Sequence, residues 1–264
     1  MNILLAFVVI SVLGLVLGIC LSIAEKKLAV EKDEKLLQLE AIMPGANCGG
    51  CGFAGCSAYA EAVFNGDAKP GLCSPGGDEL AKKMGQIMGV EVSYLEKRVA
   101  FVHCKGNPSH TQMDYNYKGI KDCNAAYILQ GGPVSCKEGC LHLGSCIAVC
   151  PVGAIKKDEN GDVVVDDTKC IGCEKCTKVC PNNVIKMVPF KDEYIVACNN
   201  HLPGGKVKKI CSVGCIGCKL CQIKVENSPF EVVDFLSHND YSKDQENASK
   251  AAEICPQKCI VKRN

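Results

Sequence analysis

The sequence predicts an α+β chain: a single N-terminal transmembrane helix, a small helical domain built round four cysteines, then two related cysteine-rich α+β units. Three observations predict it. Residues 3–24 carry no charged side chain, and 22 of the 264 residues are cysteine, grouped at C-x2-C and C-x3-C-P intervals. Finally, Cys136, Cys140, Cys146 and Cys180 each have a counterpart 75 positions on, at Cys211, Cys215, Cys221 and Cys255, with no gap needed. A fixed offset of that kind marks an internal repeat.

So many cysteines call for disulfides or for metal. Disulfide frameworks show no preference for C-x2-C spacing closed by Cys-Pro, and a reducing compartment does not sustain them. The formal net charge is +1, with acidic and basic residues interspersed, so the chain lacks the basic patch that a nucleic-acid partner requires.

Residues 3–24 read ILLAFVVISVLGLVLGICLSIA, a match to the ~20 apolar residues that span a bilayer. A cleaved signal peptide has a basic stretch ahead of a shorter apolar run and a small-x-small cleavage site. Here only Met1 and Asn2 precede the run, and Glu25, Lys26 and Lys27 follow it. Residues 1–24 are therefore expected to be an uncleaved anchor in the inner or plasma membrane, with the C-terminal domains in the cytoplasm by the positive-inside rule. Cys20, inside the run, is read as a small apolar residue.

Residues 25–43 are charged, with Leu28, Leu36, Leu37 and Leu39 scattered through them, and are expected to form a helical stalk broken at Pro44-Gly45. Residues 44–97 should be a compact unit of two helices. One starts at Ser57 and ends at Gly66; the other is capped by Asp78, with Leu80, Met84, Ile87 and Met88 inward. Residues 98–190 carry strands in VAFVHC and GDVVVD, and residues 191–264 open with a similar strand, EYIVAC.

The first cysteine group is NCGGCGFAGC followed by Cys73, giving Cys48, Cys51, Cys56 and Cys73. Four thiolates satisfy a [4Fe–4S] cluster, one per iron, and the glycines let backbone amides approach its sulfurs. Four thiolates also suit zinc. The second group separates the two. CIGCEKCTKVCP, from Cys170 to Pro181, has the C-x2-C-x2-C-x3-C-P spacing of bacterial ferredoxins, whose fourth cysteine ligates the neighbouring cluster. Cys170, Cys173 and Cys176 therefore take Cys150, and Cys180 crosses to Cys140 and Cys146. Zinc calls for no such interlocking.

The upstream run, CKEGCLHLGSCIAVCP, has Leu143 where its middle ligand belongs. Its fourth ligand is expected to be Cys136, by proximity, with Cys104 and Cys123 as the alternatives. In the last unit Cys215, Cys218, Cys221 and Cys255 form a complete set. The positions matching Cys150, Cys170, Cys173 and Cys176 are Val225, Gln245, Ala248 and Ala251, so one cluster of the pair is absent there. Both units are thus expected to be ferredoxin-like, and four [4Fe–4S] clusters are expected within a range of three to five. Cys198, Cys211 and Cys259 are left without an assigned role. The five His fall in no ligand register, and there is no dinucleotide fingerprint or P-loop.

The anchor, the stretch MPGANCGGCGFAGCSAYAEAV with its CSPGG, and the ferredoxin-type runs resemble one family across essentially the whole chain. It is the B subunit of the Rnf (Rsx) complex, the ion-translocating ferredoxin:NAD+ oxidoreductase of bacterial membranes. The resemblance implies electrons arriving from soluble reduced ferredoxin and leaving to membrane subunits that carry flavins or further clusters. It also implies a separate NADH-site subunit and coupling to Na+ or H+ movement. The irregular run at Cys136 and the extra C-terminal unit depart from the family's simplest pattern. The expected function is a tethered electron wire with no substrate site of its own. The terminal units receive electrons, and the Cys48–Cys73 group passes them toward the membrane. The competing readings are the electron module of a hydrogenase or dehydrogenase, and a membrane-tethered zinc scaffold.

Overall fold

The computed structural model describes residues 2–28, 33–92 and 96–263; residues 29–32 of the expected stalk lie outside the described residues. Helix α1 (Asn2–Leu28) is a single 27-residue helix. Its stretch Phe7–Ala24 has a mean hydropathy of 2.8, and none of it is buried against the rest of the chain. A helix that is apolar on every side and touches no protein is built for an apolar surrounding, and this one is long enough to cross a membrane.

Helix α2 (Glu34–Ile42) starts at Asp33, whose carboxylate accepts the Lys35 amide at 2.8 Å. It corrects the stalk expectation. Leu39 is fully buried against Tyr59, Val63, Leu80 and Met84 of α3 (Cys56–Phe64) and α4 (Gly77–Met88), so α2 is the third helix of the four-cysteine unit. Asp78 is not the cap of α4. The chain turns over Gly76 and Gly77, both of whose amides donate to Cys73 O, and Asp78 falls in the first helical turn. Its charge there still complements the helix dipole. The inward face is as expected: Leu80 and Met84 are buried, and Ile87 and Met88 pack against them.

The next unit runs β1 (Arg98–Val102), α5 (Cys123–Ile128), α6 (Ser145–Ala148), β2 (Ile155–Lys157), β3 (Val163–Val165), α7 (Lys175–Lys178) and β4 (Ile185–Pro189). Strands β1 and β4 pair antiparallel, Arg98 against Pro189 and Val102 against Ile185, while β2 and β3 form a hairpin between them. The last unit repeats this plan with β5 (Tyr194–Val196), α8 (Gly204–Ile210), α9 (Leu220–Ile223), β6 (Phe230–Val233), β7 (Leu236–Asn239), α10 (Ala248–Ile254) and β8 (Ile260–Lys262). Strand β5 pairs β8, and β6 pairs β7. The strands expected in VAFVHC, GDVVVD and EYIVAC are β1, β3 and β5.

The two units differ where the sequence says they should. Ala248 and Ala251 on α10, with Val225, are buried against Phe230, so side chains and a helix fill the space that the other unit reserves for cysteines. The units also pack on each other. Val99, Val188 and Ile195 share one small core, and the buried His103 ring bonds through Nδ1 to Val196 O at 2.7 Å. Arg263 ion-pairs with Asp167 at 2.9 Å with both side chains nearly buried.

Candidate metal centres

The same local device presents the third cysteine of three sets. The residue before each short helix has a left-handed backbone, Gly144 at φ 89°, Glu174 at φ 59° and Lys219 at φ 61°. The chain then turns into α6, α7 or α9, which carry Cys146, Cys176 and Cys221 inward and buried. The cost of a left-handed residue is offset by bringing these cysteines to the inside of the turn.

Cys150, Cys170, Cys173 and Cys176 line one small apolar space. Cys215, Cys218, Cys221 and Cys255 line another, together with Cys259. Cys259 is a donor to its neighbours: its Sγ lies 3.6 Å from Cys255 Sγ, and hydrogen bonding from it holds Cys215 and Cys255 below the usual thiol range. Cys48, Cys51 and Cys56 surround Cys73, whose thiol is pushed up first by burial and further by those three neighbours. That loop is pinned by Asn47, whose Oδ1 accepts the Cys56 amide at 2.8 Å. The Cys73 side is pinned by Tyr59, whose hydroxyl accepts from Leu72 N and donates to Lys69 O.

At the irregular set the neighbour is Cys123, one of the alternatives, rather than Cys136. Cys140, Cys146 and Cys180 line an apolar space with Cys123, and Cys136 is not among its walls. Cys123 opens α5, and its amide donates to Ser145 Oγ at 2.7 Å, which in turn donates to Asp122 Oδ2. This ties the start of α5 to the start of α6, so Cys123 and Cys146 face one space. Cys136 points elsewhere because its C-x2-G-C turn folds back at Gly139. It lines a fourth space with Cys104, Cys198 and Cys211.

These cavities test whether the residues fit iron–sulfur clusters. Each is walled by four or more cysteines and is otherwise almost wholly apolar. Among the described residues no group of three or more His, Cys, Asp or Glu is arranged to hold a single metal ion. Four thiols round one apolar space match what a [4Fe–4S] cluster requires, one iron per sulfur. Amides also point at the sulfurs: Ala100 N to Cys170 at 3.4 Å, Ala154 N to Cys150 at 3.3 Å and His142 N to Cys140 at 3.4 Å. Such donors stabilise thiolates and tune cluster potentials. Burial pushes Cys146 up to about 11 and Cys176 up to about 12, so loading iron has to displace protons from these thiols.

The sets adjoin one another. A Cβ on Gly50 would lie 3.2 Å from Cys173 Cα, and one on Gly172 would lie 3.2 Å from Ser74 Cβ, so the Cys48–Cys73 loops rest on the Cys170–Cys176 loop. Cys146 lies within charge range of Cys176, which joins the Cys123 set to the Cys170 set. Among the ligand candidates only Cys218 is exposed, at the far end of the molecule from the anchor in sequence.

Reasoning from sequence missed Cys123 as the preferred partner, and it missed the grouping of Cys104, Cys136, Cys198 and Cys211. A signal for the second was present, since both CKEGC and CSVGC are C-x2-G-C.

Comparison with known proteins adds the family context. A family model described as "Putative Fe-S cluster" matches residues 43–75, and one described as "4Fe-4S binding domain" matches residues 163–186. The chain is 38% identical over 255 residues to the B subunit of the ion-translocating oxidoreductase complex of Methanosarcina acetivorans, covering 97% of this chain and 96% of that one. It is 37% identical to the B subunit of the Na(+)-translocating ferredoxin:NAD(+) oxidoreductase complex of Acetobacterium woodii, over 96% of this chain and 75% of that one. It is 38% identical to the B subunit of the proton-translocating ferredoxin:NAD(+) oxidoreductase complex of Clostridium ljungdahlii, over 98% and 90%.

Proposed function

Since the chain belongs to the family of B subunits of ion-translocating oxidoreductase complexes, we propose that it carries electrons from reduced ferredoxin to membrane partners of a ferredoxin:NAD+ oxidoreductase. The observation that carries this reading is the contact between cysteine sets, above all Gly50 against Cys173. It joins the loop nearest the anchor to the interlocked pair behind it.

Bound [4Fe–4S] clusters supply one-electron carriers whose potentials follow from hydrogen bonding, charge and exposure. The protein's share is to hold the thiols, shed their protons on loading and exclude water. The four-cysteine sets assigned to this task are Cys48, Cys51, Cys56 and Cys73; Cys123, Cys140, Cys146 and Cys180; Cys150, Cys170, Cys173 and Cys176; and Cys215, Cys218, Cys221 and Cys255. We read the two units of residues 98–190 and 191–264 as ferredoxin-like, the second having exchanged one of its paired sites for α10.

Electrons arrive at the exposed Cys218 end. Lys219 beside it is exposed, as are Lys206, Lys208 and Lys209 on α8, a basic face suited to an acidic electron donor. They leave from the Cys48–Cys73 loops. Helix α1 holds that end near membrane partners and raises the local concentration of the two for each other. With no charged side chain in residues 3–24, α1 anchors and does not conduct ions, so ion movement belongs to the membrane partners. Lys26 and Lys27, which follow the apolar stretch of α1, favour the cytoplasmic side for the bulk of the chain by the positive-inside rule.

Adding reduced ferredoxin anaerobically to the full-length protein in detergent tests the reading. Absorbance near about 400 nm should bleach as the chain takes up electrons. A chain that loads iron and sulfide yet takes no electrons from ferredoxin overturns it.

A further inference from the structure

Cys104, Cys136, Cys198 and Cys211 wall one apolar space, as the cysteines of three other sets wall theirs. Two of the four come from each α+β unit, and they come in equivalent pairs. Cys104 stands two residues past β1 and Cys198 two residues past β5. Cys136 and Cys211 are partners in the 75-residue repeat, as are Gly139 and Gly214 in their C-x2-G-C turns. A Cβ on Gly139 would lie 3.3 Å from Cys136 Sγ, and one on Gly214 would lie 3.5 Å from Cys211 Sγ. In each unit the glycine gives the first cysteine of the turn room to face across the boundary.

The donors to these sulfurs follow the same symmetry. Cys140 N donates to Cys104 Sγ at 3.3 Å, and its repeat partner Cys215 N donates to Cys198 Sγ at 3.2 Å. The other two bonds cross between units. Asn200, 2% exposed, donates through Nδ2 to Cys136 Sγ at 3.0 Å, and Thr111, also buried, donates through Oγ1 to Cys211 Sγ at 3.5 Å. Four sulfurs round an apolar space, each receiving a polar hydrogen, form a built site for a dianionic cluster held by thiolates. Packing alone asks for none of this, because a buried thiol behaves as a small apolar group.

We propose that Cys104, Cys136, Cys198 and Cys211 bind a fifth [4Fe–4S] cluster across the boundary of the two α+β units. Each thiol loses its proton to solvent and bonds one iron. The proposal rests on the iron–sulfur reading of the other sets. It also explains the route. Cys215 touches Cys198 through one hydrogen bond and Cys140 touches Cys104 through the other, so this site links the Cys215–Cys255 set to the Cys123–Cys180 set. The surplus of Cys211 beside a complete set, and the correspondence of AFVHC with YIVAC, then have one cause.

The test is iron and acid-labile sulfide per chain in full-length protein purified anaerobically, wild type against Cys136→Ala/Cys211→Ala, with Cys20→Ala in the anchor helix as control. The wild type should hold about twenty of each and the double variant about sixteen, with the control unchanged. Electrons accepted in a reductive titration should fall from about five to about four. About sixteen iron atoms in the wild type, unchanged in the double variant, overturn the proposal while leaving the four other sets standing. If the double variant does not fold, the wild-type value alone decides, about twenty for the site and about sixteen against it. A wild type without sulfide overturns the iron–sulfur reading itself, and this proposal with it.

Discussion

In the proposed assignment Leu143 stands at a ligand position, and Cys123, from a different helix, takes its place beside Cys140, Cys146 and Cys180. The loss was legible in the sequence, because Cys218 survives at the matching place 75 residues on. The replacement was not, because it depends on the Cys123 amide, Ser145 Oγ and the Asp122 carboxylate meeting in space. Proximity in sequence favoured Cys136, and a C-x2-G-C turn took it the other way. Replacing Cys123 with Ala should remove about four iron atoms per chain, a loss read by metal analysis. An unchanged iron content would return the fourth bond to another thiol. Tyr59 is a second residue whose role is positional. Its hydroxyl fixes the segment that carries Cys73, and Tyr59→Phe leaves the Leu72 amide unpaired at a cost of about 1–3 kcal/mol. Thermal unfolding of the iron-loaded protein checks this, and an unchanged midpoint would deny Tyr59 that role.

Helix α2 shows how an element was misread. Its leucines are few and its composition charged, which suggested a solvated stalk, yet Leu39 is fully buried between α3 and α4. One well-placed leucine is enough to dock a nine-residue helix, and sparse periodicity hides it. Leu39→Ala should cost about 2–5 kcal/mol, the usual penalty for emptying a core position, and should speed hydrogen exchange in α3 and α4. Exchange that stays unchanged would restore the stalk reading. The short helices α6, α7 and α9 were never legible as helices, since four residues carry no periodicity. Their cysteine spacing was legible, and it fixed where they had to be. Helix α10 was legible only by what it replaced: Ala248 and Ala251 stand where the repeat puts ligands.

On the proposed reading, neighbouring thiol sets follow one another from end to end of the cysteine-rich units. The series starts at the exposed Cys218, crosses the unit boundary, passes through the interlocked pair and ends at the Cys48–Cys73 loops behind the anchor. Each end should fail in its own way. Cys51→Ala should leave ferredoxin able to reduce the remaining sites while stopping electron delivery to membrane partners; undiminished delivery would put the exit elsewhere. Lys219→Glu should slow reduction by ferredoxin about tenfold at low salt and much less at high salt, as expected for a steering charge. A rate insensitive to both would move the docking face away from Cys218. The claim beneath these is that the cysteines hold iron–sulfur clusters. Metal and acid-labile sulfide analysis of the anaerobically purified full-length chain tests it most directly. The account predicts iron and sulfide in equal amounts, about twenty of each per chain, and no stoichiometric zinc. Zinc in place of iron, or iron without sulfide, would contradict it.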